Sequence, residues 1–438
     1  MKAIKKLTKK IAPEFIKGVY HKIRGIHAAT AHKYPAREMV VIGVTGTKGK
    51  TSTANYIWSV LTAGGYRTGL VSSANFRFEE REEANAYKMT MPSPYIIQKK
   101  LREMADSGIK VVVVEMTSEG MKQFRHTGIP VDIAVFTNLT PEHLGSHNND
   151  FEVYKRAKSP LFKALASGRK VLHGRDIPKV IIANADSEHA TYYLSFPADQ
   201  KITFGINDGE VQAIGVATEN GGTTFTTLGT RFSLSIPGVF NVYNALPAIV
   251  VGNILGIPNV EINRGLTALS VIPGRMEKID EGQDFSVYVD YAHEPASMNA
   301  LLITAESMRE KGKKIILLTG IIGGGRASRV PLVEDAARRA DYLIITNEDP
   351  YEDDPEEMLE TLRQAAIHEG KNDGKNLFAI LDRTTAIKKA LSLAKDGDIV
   401  LISGKGAEET MMVKGGPIPW NERAIVRQLV KEDVECRR

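Results

Sequence analysis

The segment from Val40 to Thr51 constrains the fold of this chain more than any other. A short apolar run, VVIGV, leads directly into the turn TGTKG, and Lys50 and Thr51 then open a helical pattern. A strand, a glycine-rich turn and a helix in this order surround one anion with backbone N–H groups and with the positive end of a helix dipole. The segment therefore predicts a phosphate-binding loop suited to a triphosphate.

Within this loop, Lys50 is expected to contact the β- and γ-phosphates, and the Thr51 hydroxyl to hold Mg²⁺. The generic pattern has a glycine six residues before the lysine, where this chain has Val44, so the loop is a variant of that motif. The alternative is a tight strand-to-helix turn without a ligand, but such a turn is costly in conformational entropy and adds nothing to a core. The residues expected to contact the nucleotide in this loop are Gly46, Thr47, Lys48, Gly49, Lys50, Thr51 and Ser52.

Short apolar runs alternate with helical segments over most of the chain. They occupy residues 39–44, 110–116, 132–138 and 179–186 in a first series, and 285–292, 314–320, 342–349, 377–382 and 398–406 in a second. Such alternation is typical of parallel sheets with crossover helices. It predicts an α/β fold, with a P-loop central domain and a Rossmann-like C-terminal domain. Alternating residues at 201–237 predict a small antiparallel sheet at the edge of the first domain.

The chain is long enough for two or three domains: it has 438 residues, of which 42% are hydrophobic. Pro273-Gly274 indicates a turn, and the main boundary is predicted beside it. The predicted divisions are 1–37, 38–272 and 273–438.

Residues 1–37 differ from the rest of the chain in charge. They hold ten Lys or Arg residues and one acid, a net charge of +9, so the remaining residues carry −4 of the overall +5. Apolar residues recur at helical spacing between the lysines, which predicts a basic amphipathic helix. It could pack on the body with a solvated lysine face or contact an anionic membrane surface; nucleic-acid binding is disfavoured, because no stacking aromatics interleave with base-reading residues. The apolar residues are Leu7, Ile11, Phe15, Ile16, Val19, Tyr20, Ile23 and Ile26.

The single cysteine, Cys436, excludes an intramolecular disulfide and a cysteine-based metal site. No apolar run reaches the roughly 18 to 20 residues of a membrane-spanning helix, and the N-terminus lacks the uninterrupted apolar stretch of a secretory signal. These features favour a cytoplasmic protein, with the basic leader available for contact with the inner face of the membrane.

Several further motifs follow the loop. They are Thr90–Pro94 (TMPSP), Glu115–Ser118 (EMTS), Phe136–Thr140 (FTNLT) with His143, Tyr154–Lys158 (YKRAK), Asn241–Ala245 (NVYNA), Gly274–Glu277 (GRME) and Asp290–His293 (DYAH). Together with the variant loop, their order resembles that of the Mur ligases, which add amino acids to the peptidoglycan stem peptide. The resemblance covers about residues 38–430. It is strongest to the MurE-type branch, the UDP-N-acetylmuramoyl-tripeptide synthetases, which add the third residue.

The resemblance implies a magnesium site. Glu115 ends an apolar strand, where a carboxylate can ligate Mg²⁺ at the carboxyl edge of a parallel sheet, although such a residue can also merely cap a helix. His143 matches a histidine that approaches a second magnesium. Lys158 matches a lysine that CO₂ carbamylates, so that it presents an anion to the metal; composition alone would make it a surface lysine. The expected cofactors are ATP, two Mg²⁺ ions and this carbamate, with Lys50, Glu115, His143 and Lys158 as catalytic residues and Thr51, Glu115, His143 and Lys158 as metal ligands.

Other matched positions imply contacts with the nucleotide and the substrates, although each also suits ordinary loop chemistry. The positions that match nucleotide-contacting residues are Asn241, Arg275, Asp290 and His293. Gly404 and Glu408, in a Gly-Lys-Gly-Ala-Glu stretch, resemble residues that hold the incoming amino acid, and a carboxylate suits an ammonium group. The other expected substrate contacts are Thr90, Pro92, Ser93, Thr117, Gln123, Arg125, Arg326, Glu348, Asp349, Pro350 and Tyr351.

Three departures from the family pattern modify these expectations. Only about 40 residues precede the loop, so the N-terminal UDP-binding domain of the family is expected to be missing. Where the diaminopimelate-adding enzymes have Asp-Asn-Pro-Arg, this chain has Glu-Asp-Pro-Tyr at 348–351, followed by three acids. The incoming amino acid is therefore expected to be a cationic diamino acid, such as lysine or ornithine, rather than meso-diaminopimelate. On the acceptor side, Thr-Ser-Glu at 117–119 replaces Ser-Ser-His.

The implied reaction forms an amide bond. The acceptor carboxylate would attack the γ-phosphate of ATP, and an amine would then attack the acyl phosphate, giving ADP, phosphate and the amide. The acceptor would be a muramyl-peptide-like carboxylate, and the basic leader suggests a lipid-linked or membrane-associated one. Two alternatives remain: a related ligase of the folylpolyglutamate or cyanophycin synthetase type, and a non-catalytic nucleotide-binding partner subunit, against which the intact metal positions argue. A monomer with no nucleic-acid partner is expected.

Overall fold

The computed structural model of the chain describes residues 14–437 apart from 80, 86, 88, 143, 167, 173, 220, 321 and 324–329. Residues 1–13 of the leader and the predicted site residues His143 and Arg326 therefore lie outside the described residues.

The secondary structure alternates strands and helices, as the apolar runs predict. The helices are α1 (Glu14–Ala31), α2 (Lys50–Ala63), α3 (Pro94–Asp106), α4 (Ser118–Lys122), α5 (Phe151–Ala157), α6 (Ser159–Lys163), α7 (Ala190–Leu194), α8 (Val239–Ile254), α9 (Asn259–Ala268), α10 (Pro295–Met308), α11 (Val330–Arg339), α12 (Pro355–His368), α13 (Arg383–Leu393) and α14 (Glu422–Arg437). Short 3₁₀ turns occupy Pro35–Arg37, Leu144–His147 and Ala164–Ala166.

The strands of the first half are β1 (Val40–Thr45), β2 (Thr68–Val71), β3 (Asn75–Phe78), β4 (Arg81–Ala84), β5 (Val111–Glu115), β6 (Ile133–Phe136), β7 (Lys170–Leu172), β8 (Arg175–Ile177), β9 (Val180–Asn184), β10 (Gln200–Gly205), β11 (Val211–Gln212), β12 (Ile214–Glu219), β13 (Gly222–Thr227) and β14 (Thr230–Leu234). Those of the second half are β15 (Glu277–Ile279), β16 (Ser286–Asp290), β17 (Ile315–Thr319), β18 (Tyr342–Ile345), β19 (Leu377–Ala379), β20 (Ile399–Ser403), β21 (Thr410–Val413) and β22 (Gly416–Pro419).

The main sheet of the first half has the order β11-β10-β9-β6-β1-β5-β2-β3-β4. It is parallel from β11 to β2, and β3 and β4 continue it antiparallel. Because β1 lies between β5 and β6, Val44 pairs with Glu115 and Thr45 with Phe136. The loop after β1 therefore emerges beside the carboxyl ends of both neighbours, where ligands bind in open α/β sheets.

The second half forms a sheet in the order β15-β16-β20-β17-β18-β19. It is parallel except for β15, which runs antiparallel to β16. Asp290 at the end of β16 pairs with Ser403 at the end of β20, so the residues that follow these two strands meet at one edge. The predicted α/β fold, with its P-loop domain and Rossmann-like C-terminal sheet, is thus confirmed.

The chain divides into two compact units. The first takes the residues up to Gly215 with Phe225–Ser233 and Val242–Ala268; the second takes Val216–Thr224, Leu234–Asn241 and Leu269–Arg438. A buried apolar cluster in the first unit runs from Ala36 to Tyr193, and one in the second unit from Ile279 to Val434.

The prediction for residues 201–237 is wrong in part. Residues 200–205 form β10, which pairs in parallel with β9 inside the main sheet. The reason is the short helix α7 between them, because a strand, a helical crossover and a second strand give a parallel pair. The strands β12, β13 and β14 form a separate three-stranded sheet, in agreement with the small sheet predicted for this region.

The leader helix α1 is present. An amphipathic helix packed on the body would bury its large apolar side chains, and α1 does not. Ala28 and Ala29 are fully buried, whereas Ile16 and Ile23 are more than half exposed. The helix therefore packs through its small residues and turns large apolar residues to solvent.

Candidate functional site

The loop after β1 is fixed by the segment that follows β6. The backbone carbonyl of Asn138 accepts a hydrogen bond from Thr47 N at 2.9 Å, and its side-chain oxygen accepts one from Lys48 N at 2.8 Å. The Thr137 hydroxyl donates to the Lys48 carbonyl at 2.7 Å. The loop conformation is thus set by its neighbour in the sheet.

Two glycines in the loop have no substitute. Gly46 has φ +153°, and a Cβ there would overlap Thr137 Oγ1; Gly49 has φ +80°, and a Cβ there would overlap Asn244 Oδ1. Gly49 is also the N-cap of α2 and carries no side chain that could cover the first amides of that helix. The helix terminus is therefore left open for an anion, as the sequence predicts.

Lys50 and Thr51 lie in the first turn of α2. The Lys50 ammonium donates to the carbonyl of Thr47 at 2.8 Å, so the charge stays over the loop. Thr51 is buried, and its hydroxyl donates to Glu115 Oε2 at 3.1 Å and lies 2.7 Å from Ser73 Oγ. Ser73 N also donates to Glu115 Oε2, at 2.8 Å.

This cluster of Thr51, Ser73 and Glu115 suits a hard cation. It offers one carboxylate and two hydroxyls, and oxygen ligands are those that Mg²⁺ prefers; Mg²⁺ usually completes its shell with phosphates and water. In the described part of the chain no three His, Cys, Asp or Glu side chains form a cage of their own. The donor set thus fits a metal that arrives with a nucleotide.

Lys158 is buried beside the same loop. Its side chain is 1% exposed, its Nζ donates to the carbonyl of Gly46 at 3.0 Å, and Nζ lies 4.4 Å from the centre of the Tyr154 ring. Burial lowers the pKa of Lys158 well below its ordinary value, and the charge of Lys50 lowers it further, although Glu142 opposes this. The alternative that composition alone would suggest, a solvent-facing lysine, is therefore wrong.

Residues predicted for the acceptor side come together near the start of α4. Arg125 donates to the Met91 carbonyl and, at 2.6 Å, to Gln123 Oε1. Thr117 N approaches the Met91 sulfur at 3.3 Å, and the Thr117 hydroxyl caps α4. The segment that holds Thr90, Pro92 and Ser93 is thus tied to Thr117, Gln123 and Arg125.

Three of the four nucleotide residues predicted in the second unit, Arg275, Asp290 and His293, lie around the end of β16. The Asp290 carboxylate accepts hydrogen bonds from Met276 N at 2.7 Å and Ala292 N at 2.8 Å. The Arg275 guanidinium lies 4.4 Å from the centre of the Tyr291 ring, and His293 Nδ1 lies 2.6 Å from the Tyr291 carbonyl. Asn241 is buried and donates to the Pro237 carbonyl at 2.8 Å.

The segments after β18 and β20 form an acidic cluster around one lysine. Lys405 is fully buried and pairs with Asp349 at 2.8 Å and with Glu408 at 2.5 Å. Burial alone would lower the pKa of Lys405, but Glu408 and Asp349 raise it above its ordinary value. Tyr291 also donates to Glu408, at 3.0 Å. Glu408 is thus held by partners within the protein, which the sequence does not reveal.

Glu348 is the most unusual member of this cluster. It is 1% exposed, and among the described residues its Oε2 has no hydrogen-bond partner. Burial raises the pKa of Glu348 to about 7, although Arg383 and Lys405 oppose this. Gly404 faces it so closely that a Cβ at that position would lie 2.6 Å from Glu348 Oε2. Asp349 also accepts a hydrogen bond from Met412 N, and Tyr351 N donates to the Met412 carbonyl.

Three contributors were missed from the sequence. Ser73 follows β2, next to β5 in the sheet, and only that strand order brings it to Glu115. Arg383 and Glu422 form a buried ion pair, and Arg383 also donates to the carbonyls of Asn347 at 3.1 Å and Ser403 at 2.7 Å. A single buried charge at the start of a helix does not alter the hydrophobic periodicity, so the sequence pattern does not predict this ion pair.

Known proteins resemble the chain over most of its length. Residues 44–252 match the Mur ligase middle domain, and residues 274–406 match the Mur ligase, glutamate ligase domain. A UDP-N-acetylmuramyl-tripeptide synthetase of Roseiflexus sp. (strain RS-1) is 35% identical over 418 residues, which cover 92% of this chain and 81% of that protein. The chain belongs to the Mur ligase family. It is therefore an ATP-dependent acid–amino-acid ligase of the MurE type that uses Mg²⁺.

Solved structures agree on the Mur ligase fold. A UDP-N-acetylmuramoyl-L-alanyl-D-glutamate--2,6-diaminopimelate ligase superposes with a TM-score of 0.63 at 24% identity, covering 97% of this chain and 84% of its own. A Mycobacterium tuberculosis folylpolyglutamate synthase superposes with a TM-score of 0.68 at 19% identity, covering 90% and 96%. The second likeness extends the shared fold to a ligase with a different substrate.

Proposed function

We propose that this chain joins a cationic diamino acid to the carboxylate of a muramyl-peptide acceptor, with ATP as the energy source. The observation that supports this most is Lys158, buried with its Nζ 3.0 Å from the Gly46 carbonyl of the phosphate loop, in a Mur ligase 35% identical to a tripeptide synthetase. A protein that only bound nucleotide would have no use for a buried lysine whose charge is disfavoured there.

The reaction proceeds in two displacements. A carboxylate oxygen of the acceptor attacks the γ-phosphorus of ATP, the bond to the bridging oxygen breaks, and ADP leaves with that electron pair. The neutral amine then attacks the carbonyl carbon of the acyl phosphate, phosphate leaves, and the nitrogen loses a proton. Lys50 and the amides of the loop hold the phosphates during the first step. Two bound Mg²⁺ ions would neutralise phosphate charge, with Thr51, Glu115, His143 and carbamylated Lys158 as the residues that hold them.

Lys158 is proposed to carry a carbamate. Its lowered pKa favours the neutral amine, which can attack CO₂; an N–C bond forms and one proton is released to solvent. The product is an anion, so the repulsion between Lys158 and Lys50 becomes an attraction. An anion also suits a site that binds a divalent cation.

A cationic amino acid is proposed because carboxylates outnumber cations in the second unit's cluster. Asp349, Glu408 and Glu422 accompany two cations, Arg383 and Lys405, and Glu348, with its pKa of about 7, adds part of a further negative charge at neutral pH. Tyr351 supplies no guanidinium for a distal carboxylate. An ammonium side chain would therefore be attracted, and the second carboxylate of diaminopimelate repelled.

We propose further that the ligase acts as a monomer whose domains are 38–272 and 273–438. Its acceptor is proposed to be membrane-associated, with residues 1–37 bringing the chain to the inner face of the membrane. Within the described residues, no helix has the length and apolarity to cross a bilayer.

The test is phosphate release from ATP and Mg²⁺ with a panel of amino acids and with UDP-linked and lipid-linked muramyl dipeptide acceptors. We expect turnover with lysine or ornithine and little with meso-diaminopimelate. Turnover with no amino acid of the panel would contradict the ligase proposal, and a preference for diaminopimelate would contradict the cationic substrate.

Tyr351→Arg provides a sharper test of amino-acid choice. The added guanidinium should raise kcat/KM for diaminopimelate relative to lysine at least tenfold, as a charge-assisted pair to a carboxylate is worth on the order of 1.5–3 kcal/mol. Glu352→Gln, an exposed neighbour, changes the net charge equally and should leave the ratio unchanged. Equal ratios in both variants would overturn this assignment of position 351.

A further inference from the structure

Helix α1 exposes its large apolar side chains along one stripe. Ile16, Val19, Tyr20, Ile23 and Ile26 are between 43% and 60% exposed. Counted from Ile16 they stand at i, i+3, i+4, i+7 and i+10, so they lie on one face of the helix. These side chains are too exposed to belong to a hydrophobic core, so packing within the chain does not explain why they are apolar.

The opposite face of α1 holds small residues in close contact with the body. A Cβ on Gly25 would lie 2.7 Å from the Phe124 carbonyl and 2.8 Å from Thr127. Ala28 and Ala29 are fully buried. This contact has no room for larger side chains, so the helix cannot rotate to bury its isoleucines there. The stripe therefore faces outward.

Cations flank the stripe on both sides. At 100° per residue, Lys17 and Arg24 lie along one margin and Lys22 along the other. Lys22 is exposed, and the Arg24 guanidinium lies 5.5 Å from the centre of the Tyr20 ring. Residues 14–37 contain five Lys or Arg residues and one acid. An apolar face between cationic margins matches the headgroup region of an anionic bilayer.

We infer that α1 lies in the plane of an anionic membrane surface, with the stripe among the acyl chains nearest the headgroups and Lys17, Lys22 and Arg24 at the lipid phosphates. A second copy of the chain is a poorer occupant, because two stripes face to face would bring their cationic margins together. Nucleic acid would not cover isoleucines. The inference rests on the proposed function in one respect, the membrane-associated acceptor. Binding of α1 to lipid can be measured without any catalytic turnover.

The test is flotation of the full chain with phosphatidylcholine vesicles that contain or lack phosphatidylglycerol. We expect binding to the anionic vesicles, weaker binding to the neutral ones, and release as salt screens the charges. A chain that does not float with anionic vesicles overturns the inference.

Two sets of variants assign the binding to this face. The first replaces stripe residues, as Ile16→Ser, Val19→Ser and Ile23→Ser; its control replaces exposed apolar residues elsewhere, as Val260→Ser, Ile303→Ser and Ile418→Ser. The second replaces cations, as Lys17→Gln, Lys22→Gln and Arg24→Gln; its control is Lys311→Gln, Lys375→Gln and Lys395→Gln.

The stripe variant should lose at least tenfold in partition coefficient, and the cation variant roughly 100-fold, since each cation near an anionic surface contributes about fivefold. Both controls should bind as the parent does. A stripe variant that binds like the parent overturns the inference. A second result would also overturn it: the parent self-associates in sedimentation velocity but does not bind lipid, and the stripe variant no longer self-associates.

Phosphate release with a soluble UDP-linked acceptor separates this inference from the proposed function. If vesicle binding fails while turnover persists, the membrane face is wrong and the ligase proposal stands. If binding persists without turnover on either acceptor, the ligase proposal is wrong and the membrane face stands.

Discussion

At the scale of single residues, Lys158 is the side chain whose environment departs furthest from that of an ordinary lysine. If Lys158 carries the proposed carbamate, Lys158→Ala should lower phosphate release roughly 100-fold, because the metal would lose that anionic ligand. Added chloride or short carboxylates should restore part of the rate by occupying the space of the carbamate. The measurement is the rate with and without these anions.

Lys163→Ala is the matched control for Lys158, since Lys163 follows five residues later on α6 but is exposed. It should keep the parent rate and show no response to the anions. Full activity in Lys158→Ala would remove the lysine from the metal site.

Glu348 should give the protein a pH-dependent stability. The pKa of Glu348 in the folded chain, about 7, lies above the ordinary glutamate value of 4.5, so the folded chain holds the proton more tightly than the unfolded chain. This favours folding below about pH 4.5, and the advantage is lost as pH rises through 7. Glu348→Gln cannot ionise, so between pH 5 and pH 8 it should gain about 2 kcal/mol of unfolding free energy relative to the parent.

Urea unfolding of parent and variant at the two pH values measures the gain. Glu352→Gln, at an exposed position four residues later, is the control. Its unfolding free energy should differ from that of the parent by the same amount at both pH values. A difference for Glu348→Gln that does not change with pH would mean that its carboxyl is ionised when folded.

At the scale of elements, the turn between β1 and α2 depends on Gly49. Gly49→Ala must place a Cβ at φ +80° where Asn244 Oδ1 already lies. We expect ATP affinity to fall at least tenfold, since the first amides of α2 can no longer keep their positions, and stability to fall by more than about 1 kcal/mol.

Gly65→Ala, just after the other end of α2, has φ +84° but open space around its Cβ. It should lose only about 1 kcal/mol, the cost of the left-handed backbone, and keep its affinity for ATP. Calorimetric titration and thermal unfolding distinguish the two variants. Equal affinity for ATP in the two variants would mean that the phosphate loop accommodates a Cβ at position 49.

At the scale of the whole molecule, the second unit contains a complete core. Its apolar cluster runs from Ile279 to Val434, and its sheet is complete from β15 to β20. A fragment of residues 273–438 should therefore fold by itself and unfold cooperatively on heating, monitored by circular dichroism. A fragment of residues 284–438, which lacks β15 and the buried Ile279, should be less stable; a non-cooperative transition in both would contradict the boundary at 272.

Local pattern was enough to predict most of the fold. Each buried strand of a parallel sheet is an apolar run, so the runs that became β1, β5, β6 and β9 were visible, as were those of β16 to β20. The glycine-rich turn was visible for a similar reason, because its backbone conformation restricts the residue types. The sequence by itself thus determined these buried strands, the loop at the end of β1, and a carboxylate at the end of β5.

Tertiary structure alone decided which distant groups meet. Ser73 reaches Glu115 only because β2 lies beside β5, and β10 is parallel only because of where α7 returns the chain. The burial of Lys158, the burial of the Glu348 carboxyl and the outward stripe of α1 likewise depend on neighbours far away in sequence. Periodicity records which face of an element is apolar, but not what that face touches, because the desolvation and charges at a site come from the other elements packed around it.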